Sequence, residues 1–338
     1  MRSPTPSVFL LGLGAYVPER RLTNDDLSQI VDTSDEWIRT RSGIAERRIA
    51  SPEENASDMG TRAAERAIAQ AGIDKADIDL VIVATTTPDT PIPSTACHIQ
   101  RKLGLRTDIP AFDITAACSG FIYLLQIANH MLRAGNYQHA LIIAAEKISS
   151  IVDWQDRTTC VLFGDGAGAA VVSKCDTPYV GILGNVLGAD GTKGDMLACR
   201  LRTEPAPANS AGLPVGTHTV SMNGKEVFKN AVRVMSQSCR SVLGKCGVST
   251  DDLALIIPHQ ANFRIIDAIA EELKIDKSKV MMNLERYGNT SAASIPIALE
   301  QAFTEGRIKN GDKILLVAFG GGLTWGATLL HWYQPAQA

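Results

Sequence analysis

Three residues far apart in the sequence carry side chains that together could form a covalent-catalysis site: Cys118, His259 and Asn289. Cys118 lies in AFDITAACSG, where an apolar run ends, small residues surround the thiol and a strongly apolar segment follows. This pattern predicts a strand, a tight turn and a buried helix, with the thiol at the turn. A thiol at a helix N-terminus lies near the positive end of the helix dipole, which favours the thiolate. The alternative is a cysteine packed in the core.

His259 and Asn289 each have a structural and a catalytic interpretation. His259, in IIPHQAN, ends a predicted buried strand, where α/β folds assemble their sites but where histidine also serves as a hydrogen-bonded core residue. Asn289, in YGNTSAAS, starts a predicted helix that runs to about residue 305, and asparagine is a favoured helix N-cap. The glycines 320–322 form either a tight turn or a place where a backbone N–H approaches a reacting oxygen.

The order Cys, His, Asn is compatible with two chemistries. A papain-like hydrolase has this order at similar spacing, but the local CGSCW signature is absent here. The other chemistry is carbon–carbon bond formation on thioesters, in which a carbanion attacks an acyl-cysteine. A duplicated α/β chain is the wrong scaffold for the protease, so the sequence favours condensation.

An internal duplication supplies the elements that position these residues. AGIDKADIDLVIVATTT recurs 175 positions later as CGVSTDDLALIIPHQAN. FGDGAGAAVVS is matched by FGGGLTWGATLLH, and RAGNYQHALIIAAE by TEGRIKNGDKILLVAFG. Three ordered blocks predict two equivalent α/β halves, 1–175 and 176–338, packed into one unit. Continuous apolar runs predict strands buried on both faces at Leu80–Ala84, Ala140–Ala144, Ala254–Pro258 and Ile314–Ala318.

The duplication also relates the thiol to the amide. Aligning Gly135 with Gly306 places Cys118 opposite Asn289, because both pairs are 171 positions apart. The alignment predicts that two equivalent strand-to-helix turns, one in each half, carry the two groups. The stretch 200–218, rich in Pro, Ala and Gly, predicts a mobile surface loop.

Composition sets broad limits on function. The chain has 338 residues, 45% hydrophobic and 20% charged, with a net charge of −3, which gives no reason to expect nucleic acid or a membrane surface as partner. Seven cysteines without a CxxC pair argue against a disulfide framework and a zinc site, and they predict a reduced, cytoplasmic protein. The apolar run 8–17 superficially resembles a signal peptide, but Gly12 and Gly14 interrupt it and a first buried strand explains it better.

Six motifs, spread in order over nearly the whole chain, resemble those of the β-ketoacyl-acyl carrier protein synthase III family: DTSDEWIRTRSGIAERR, DITAACSGF, FGDGAGAAV, PHQAN, YGNTSAAS and FGGGLTWG. The resemblance implies an α/β thiolase-like five-layered αβαβα fold, built from two duplicated halves and usually dimeric. A Cys-His-Asn set separates this group from thiolases and from elongating synthases. Chalcone-synthase-like enzymes share the set, but the DTSDEWI and GDGAGAA stretches point away from them.

The resemblance implies ping-pong catalysis without a metal or redox cofactor. Cys118 attacks the thioester of an acyl-CoA, and the backbone N–H groups of Cys118 and Gly321 hold the oxyanion. Malonyl-acyl carrier protein then loses CO2, and His259 with Asn289 donates hydrogen bonds to the enolate. Neutral donors suit this task, so His259 is expected to be uncharged at that step. The carbanion attacks acyl-Cys118 and yields a β-ketoacyl product.

The resemblance also implies residues that contact coenzyme A. Trp37 matches the family's adenine-stacking tryptophan, with Arg157 on the opposite face of the purine. The alternative for Trp37 is a residue of an amphipathic helix that covers the core. Lys225 departs from the Asn found in some members. The other positions that match family contacts are Thr33, Arg41, Gly224, Phe228, Ala261 and Asn262.

A basic stripe is the candidate docking surface for the carrier protein. Lys225, Lys229 and Arg233 recur every four residues and therefore lie on one helix face. Carrier proteins are acidic, and family members dock them near here, including at the position of Arg264. A solvated helix face would produce the same pattern.

The acyl primer depends on Ile92, which falls where the family places a residue, often Phe, at the end of the acyl pocket. A branched aliphatic side chain leaves more room there and predicts branched or longer acyl groups. The resemblance implies a homodimeric condensing enzyme that initiates fatty-acid biosynthesis. A related starter-unit condensing or acyl-transfer enzyme of secondary metabolism is the alternative. A catalytically silent subunit is disfavoured, because the chain keeps all three residues.

Overall fold

The first half of the chain alternates strands with helices in the computed structural model, which describes residues 6–201 and 218–335. Its strands are β1 (Ser7–Tyr16), β2 (Arg21–Thr23), β3 (Glu46–Arg48), β4 (Leu80–Ala84), β5 (Ala111–Ile114), β6 (His139–Glu146) and β7 (Gly166–Cys175). Its helices are α1 (Asn24–Ser28), α2 (Asp35–Ser42), α3 (Ala56–Ala71), α4 (Thr95–Leu103) and α5 (Gly120–Ala134).

The second half repeats this alternation. Its strands are β8 (Gly181–Ala189), β9 (Leu197–Leu201), β10 (His218–Met222), β11 (Leu255–Pro258), β12 (Lys313–Gly320) and β13 (Thr324–His331). Its helices are α6 (Gly224–Cys246), α7 (Phe263–Leu273), α8 (Leu284–Tyr287) and α9 (Ser294–Thr304). The predicted mobile loop at 200–218 falls almost entirely outside the described residues. Within the described ranges, no helix combines the length and apolarity needed to cross a membrane.

The strand order shows the duplication. Nine strands follow the order β11-β12-β13-β8-β1-β7-β6-β4-β5. Read outwards from the centre, β1, β7, β6 and β4 correspond to β8, β13, β12 and β11. The two half-sheets meet through one parallel pair, Val8 with Gly181. The boundary between residues 175 and 176 stays a prediction; it falls in the connection from β7 to β8.

Alternating side chains of the strands separate the layers. In β4, Ile82 packs into the central apolar cluster with α5 and α9, whereas Val81 packs into an outer cluster with α3 and α4. In β12, Leu316 faces the same central cluster, and Leu315 faces a second outer cluster with α6 and α7. Because successive side chains of a strand point to opposite faces, each half-sheet is covered on both sides. The result is the five-layered arrangement predicted from the sequence.

Each half contains a 3-10 turn directly before its central helix. Residues Ala117–Ser119 precede α5, and Ser291–Ala293 precede α9. Both turns begin at a residue with positive φ, 45° at Ala117 and 50° at Ser291.

This backbone equivalence corrects the alignment made from the sequence. The two turns are 174 positions apart, so Cys118 corresponds to Ala292, and Asn289 lies just ahead of its turn. The glycine-based alignment slipped because α5 has 15 residues and α9 only 11.

Candidate active site

The turn that carries Cys118 is rigidly held. Ser119 Oγ lies 2.7 Å from Ala116 O and 2.7 Å from Thr324 Oγ1, so it donates to one of them and can accept from Thr324. Cys118 is only 7% exposed, and burial raises the pKa of its thiol to about 12. This increase is opposite in direction to the shift toward the thiolate that the helix dipole was predicted to cause. A hydrogen bond from the Ser291 side chain acts in the opposite direction and lowers the pKa of the thiol.

His259 directly follows β11 and is oriented by two hydrogen bonds. Its backbone N–H donates to Val317 O at 2.8 Å, and the ring nitrogen Nδ1 lies 2.6 Å from Ser294 Oγ. Burial lowers the pKa of the imidazole to about 3, so it is uncharged at neutral pH, which is compatible with the neutral donor that the resemblance implied for the enolate step. Because Ser294 occupies Nδ1, Nε2 is the ring nitrogen left for chemistry.

Asn289 is held by backbone groups on both sides. Its N–H donates to Leu162 O at 2.8 Å, and its carbonyl accepts from Gly164 N–H at 3.0 Å. Its side-chain Oδ1 accepts from Ser291 N–H at 2.9 Å, which leaves the NH2 group as the free end of the amide. The N-cap of α9 is Ala293, so Asn289 is not the helix cap that the structural interpretation supposed.

Two equivalent glycines bring the halves together at these turns. A Cβ on Gly320 would lie 2.6 Å from the backbone nitrogen of Cys118. A Cβ on Gly164 would lie 2.4 Å from Tyr287 O, next to the Asn289 turn. Gly320 therefore packs on Cys118, and Gly164 packs on the chain just before Asn289. In both places the backbones are too close for any side chain larger than hydrogen.

A cavity of about 560 Å³ joins these groups. Its volume is typical of a small-molecule site. Within the described ranges, no cluster of His, Cys, Asp or Glu could hold a metal ion. The residues that the sequence predicted for the site and that line this cavity are Cys118, His259, Asn289, Gly321, Gly224, Phe228, Ala261 and Asn262.

The predicted adenine-binding group lies beside this cavity. The guanidinium carbon of Arg41 is 4.5 Å from the centroid of the Trp37 ring, and that of Arg157 is 5.3 Å away. Asn262 Nδ2 donates to Arg41 O at 2.9 Å, which ties the cavity rim to α2. Trp37 is half-buried against the core, so it covers the core and also presents its ring. Thr33 is half-buried, and its hydroxyl has no hydrogen-bond partner within the described ranges.

The predicted docking residues are exposed. Lys225, Lys229 and Arg233 lie along α6, although Lys229 pairs with Glu226 at 3.3 Å. Arg264 lies in the first turn of α7, and its guanidinium donates to a backbone carbonyl of α2 at 2.8 Å. The stripe is therefore interrupted by a carboxylate, which the spacing of the basic residues did not indicate.

Ile92 does not lie at the end of this cavity. Its side chain is 88% exposed, and it is not among the residues that line the cavity within one chain. It stands between two prolines in the loop before α4, where the chain runs along the surface.

Three residues of the site escaped the sequence analysis: Glu146, Ser291 and Ser294. Glu146 is fully buried at the end of β6 and accepts a hydrogen bond from Ser291 Oγ at 3.0 Å. A carboxylate that ends an apolar strand, in IIAAEK, was a readable signal. The two serines stand in the YGNTSAAS motif, where only the asparagine attracted attention.

Comparison with known proteins identifies the family of the chain. The family model described as 3-Oxoacyl-[acyl-carrier-protein (ACP)] synthase III matches residues 112–191, and the model of its C-terminal part matches residues 243–332. The β-ketoacyl-[acyl-carrier-protein] synthase III of Caldanaerobacter subterraneus subsp. tengcongensis is 52% identical, over 96% of this chain and 97% of its own.

Solved structures agree with this assignment. The crystal structure of 3-oxoacyl-[acyl-carrier-protein] synthase III from Aquifex aeolicus VF5 superposes with a TM-score of 0.88 at 50% identity, covering 96% of this chain and 100% of its own. The priming β-ketosynthase from the R1128 polyketide biosynthetic pathway has a TM-score of 0.88 at 37% identity, with 99% of both chains covered. The fold is therefore thiolase-like, and the chain belongs to the β-ketoacyl-acyl carrier protein synthase III family.

Proposed function

We propose that this chain joins an acyl-CoA primer to malonyl-acyl carrier protein by decarboxylative Claisen condensation, through an acyl-Cys118 intermediate. As a member of its family it is an acyl-transferring condensing enzyme, and the β-ketoacyl product initiates fatty-acid biosynthesis. One observation supports the assignment of the site most strongly. Cys118, His259 and Asn289 come from three separate turns and line one cavity.

In the first half-reaction, the sulfur of Cys118 attacks the thioester carbonyl and CoA leaves. The oxyanion that forms is held by the N–H groups of Cys118 and Gly321. Two observations support this pairing: Gly321 lines the same cavity as Cys118, and the preceding Gly320 packs on the backbone of Cys118. Losing one such donor typically costs about 2.7–4 kcal/mol of transition-state stabilisation.

In the second half-reaction, malonyl-acyl carrier protein loses CO2 and the enolate oxygen receives two hydrogen bonds. The donors are Nε2–H of His259 and the NH2 group of Asn289. Ser294 and the N–H of Ser291 occupy the other ends of these side chains, which supports the assignment. Neither donor is charged, and the chemistry needs no metal or redox cofactor.

Substrate binding extends beyond the cavity. The adenine of CoA stacks on Trp37 and separates it from Arg157, whose guanidinium carbon moves outward from its 5.3 Å distance to make room. The carrier protein docks on the basic residues of α6 together with Arg264. We also propose that the protein is a cytoplasmic homodimer and that each chain consists of two duplicated halves, 1–175 and 176–338. Since Ile92 is exposed within one chain, it can line an acyl pocket only across an interface between two copies. Ile92→Phe is then expected to narrow use toward acetyl-CoA, measured as relative rates across acyl lengths.

A starter-unit enzyme of a polyketide pathway is the second candidate. The likeness to the R1128 priming β-ketosynthase motivates it. Fatty-acid initiation is favoured, because relatives at 50–52% identity over nearly the whole chain are β-ketoacyl-[acyl-carrier-protein] synthases III. The two candidates differ in the primer that the enzyme accepts.

Intact-protein mass spectrometry after incubation with a panel of acyl-CoAs tests the proposal, with Cys118→Ala as control. The expected result is a mass increase of one acyl group, absent in the control, that malonyl-acyl carrier protein discharges as a β-ketoacyl product. Acylation without condensation would favour an acyl-transfer enzyme. If no thioester acylates the protein, the proposal fails.

A further inference from the structure

Glu146 is a buried carboxylate beside the site, and the mechanism above does not use it. Its Oε2 accepts from Thr86 N–H and Thr86 Oγ1, each at 2.9 Å, and from Thr87 Oγ1 at 3.1 Å. The Thr87 hydroxyl accepts from Lys147 N–H at 2.8 Å, which leaves its own hydrogen for the carboxylate. One oxygen of Glu146 is therefore fixed by the segment that follows β4.

The other oxygen of Glu146 reaches the second turn. Oε1 accepts from Ser291 Oγ at 3.0 Å, in a hydrogen bond that joins the two halves of the chain. The backbone N–H of the same serine donates to Asn289 Oδ1 at 2.9 Å. Ser291 thus holds the carboxylate through its side chain and the amide through its backbone. All three residues are buried, so bulk water does not compete for these hydrogen bonds.

The orientation of the Asn289 amide decides which end of it faces the substrate. An amide carries an accepting oxygen and a donating NH2 group on the same carbon, so it can turn over with little change of shape. The hydrogen bond from Ser291 N–H to Oδ1 selects the orientation that leaves the NH2 group for the enolate. In the opposite orientation two N–H donors would face each other, and the amide oxygen would face the enolate oxygen. The position of Ser291 therefore determines whether Asn289 donates.

The first turn has the same backbone form without a carboxylate and a hydroxyl. It begins at Ala117 with a φ of 45°, as the second begins at Ser291 with a φ of 50°. Gly320 ends β12 as Glu146 ends β6, and these two residues are 174 positions apart, the same separation as the two turns. Neither alanine nor glycine has a polar side chain. The turn therefore forms without this hydrogen bond, and the presence of the bond in the second turn needs another explanation.

Keeping a carboxylate at this place has a cost, because a buried charge loses its water and depends on hydrogen bonds to replace it. The second turn differs from the first in having the amide of Asn289 just ahead of it. We propose that Glu146 is a positioning residue for this amide: it fixes Ser291, and Ser291 holds Asn289 with its NH2 group toward the enolate. The inference rests on the proposed function, since Asn289 donates in the condensation step.

A double-mutant cycle on the discharge of pre-formed acyl-Cys118 by malonyl-acyl carrier protein tests the inference. Ser291→Ala removes the hydroxyl that Glu146 holds, and we expect discharge to become about 10-fold slower. Because the serine acts through the amide, adding Ser291→Ala to Asn289→Ala should cause no further loss. A general loss of structure would instead slow the double variant by the product of the two single effects.

Two substitutions of Glu146 separate positioning from packing. Glu146→Leu fills a similar space but makes no hydrogen bond, so it should slow discharge at least as much as Ser291→Ala. Glu146→Gln has the shape of the glutamate: its oxygen can accept from the threonines while its NH2 group donates to Ser291 Oγ. Discharge should therefore stay within about 3-fold of the wild-type rate in Glu146→Gln. The matched control is Ser238→Ala, which removes a buried hydroxyl that donates to Val234 O within α6 and should leave discharge unchanged.

Intact mass spectrometry follows both half-reactions, and circular dichroism confirms that each variant is folded. If Glu146→Leu does not fold, the cycle of Ser291→Ala with Asn289→Ala decides the question. When the wild type completes both half-reactions, three results overturn the positioning role alone: a wild-type discharge rate in Ser291→Ala, losses that multiply with Asn289→Ala, or Glu146→Gln as slow as Glu146→Leu. A wild type that no acyl-CoA acylates would overturn the proposed function, and this inference with it.

Discussion

The two turns before the central helices, Ala117–Ser119 and Ser291–Ala293, have the same backbone form but carry different chemistry. Both begin at a residue with positive φ. Gly320 of the second half packs on the first turn, and Gly164 of the first half packs on the residues just ahead of the second turn. The first turn places a thiol at the start of α5. The second places a hydroxyl in the turn and an amide just ahead of it.

The comparison assigns each half-reaction to one turn. In the proposed mechanism, acylation needs the nucleophile and its oxyanion donors, which are Cys118 in the first turn and the N–H of Gly321. Condensation needs neutral donors to the enolate, and the proposal assigns these to Asn289 and His259 of the second half. The same backbone turn occurs in both halves, and the proposed roles differ because the functional side chains stand at non-equivalent positions.

The largest effect is expected from Asn289→Ala. Removing the NH2 donor should slow discharge of acyl-Cys118 by malonyl-acyl carrier protein about 10²–10³-fold. Acylation should change by only a few-fold, because the amide does not hold the first oxyanion. Stopped single-turnover assays of the two half-reactions measure both. An equal loss of rate in both half-reactions would contradict the division between the turns. Asn289→Asp is the control for the backbone position, because it keeps the Oδ1 that accepts from Ser291 N–H.

The reciprocal glycine contacts give the next largest effect. Gly320→Ala forces a Cβ to within 2.6 Å of the Cys118 nitrogen and should slow acylation about 100-fold through a shift of the thiol turn. Gly164→Ala presses on Tyr287 O and should instead impair condensation. The control is Gly244→Ala on α6, where a Cβ meets nothing within 4 Å. If both variants impaired the same half-reaction, the idea that each glycine supports a different turn would be wrong.

Sequence patterns predicted most of this frame because they report burial. The run Leu80–Ala84 is β4 residue for residue, and the other three predicted strands agree within a few residues. A strand covered on both faces must be continuously apolar, so its bounds are visible in the sequence. The sequence predicts Cys118 as a candidate nucleophile for a related reason: small residues around it allow close backbone approach.

Features that depend on direction or on desolvation were not predicted. Burial is the main cause of the raised pKa of Cys118, and the residues next to it in the sequence do not indicate how deeply the thiol is buried. Ile92 was placed by position, but whether a loop side chain turns inward depends on tertiary packing. Ser291 and Glu146 are 145 residues apart and meet only because β6 ends against the second turn. Serine and glutamate are common, so neither residue type raised attention.

Binding outside the two turns should give a smaller and different effect. Trp37→Ala is expected to raise the KM for acyl-CoA about 10-fold, since a stacked base typically contributes about 1–3 kcal/mol. The kcat should stay within about 2-fold, because the ring does not reach the reacting atoms. Initial rates at varied acyl-CoA measure both constants. Trp37→Phe retains a ring and should lose less; a fall in kcat alone would argue against a purely binding role.

The smallest expected effect is an absence of pH dependence in condensation. Burial lowers the pKa of His259 to about 3, so the imidazole stays a neutral donor between about pH 5 and pH 8 and charges only below that window. Discharge of pre-formed acyl-Cys118 should therefore be level over this range. Burial raises the pKa of the Cys118 thiol to about 12, so acylation, which needs the thiolate, should become faster as pH rises, and the two half-reactions of one enzyme should have different profiles.

Measuring discharge separately from acylation decides this point, because a steady-state profile would mix the two. His259→Gln keeps an uncharged N–H donor and should leave the discharge slower but equally level. A wild-type discharge rate with a midpoint near 6.5, the ordinary value for histidine, would instead mean that the imidazole titrates in the acyl-enzyme. Burial would then no longer explain the neutral donor. The contrast between a pH-sensitive first turn and a pH-insensitive second turn would be lost.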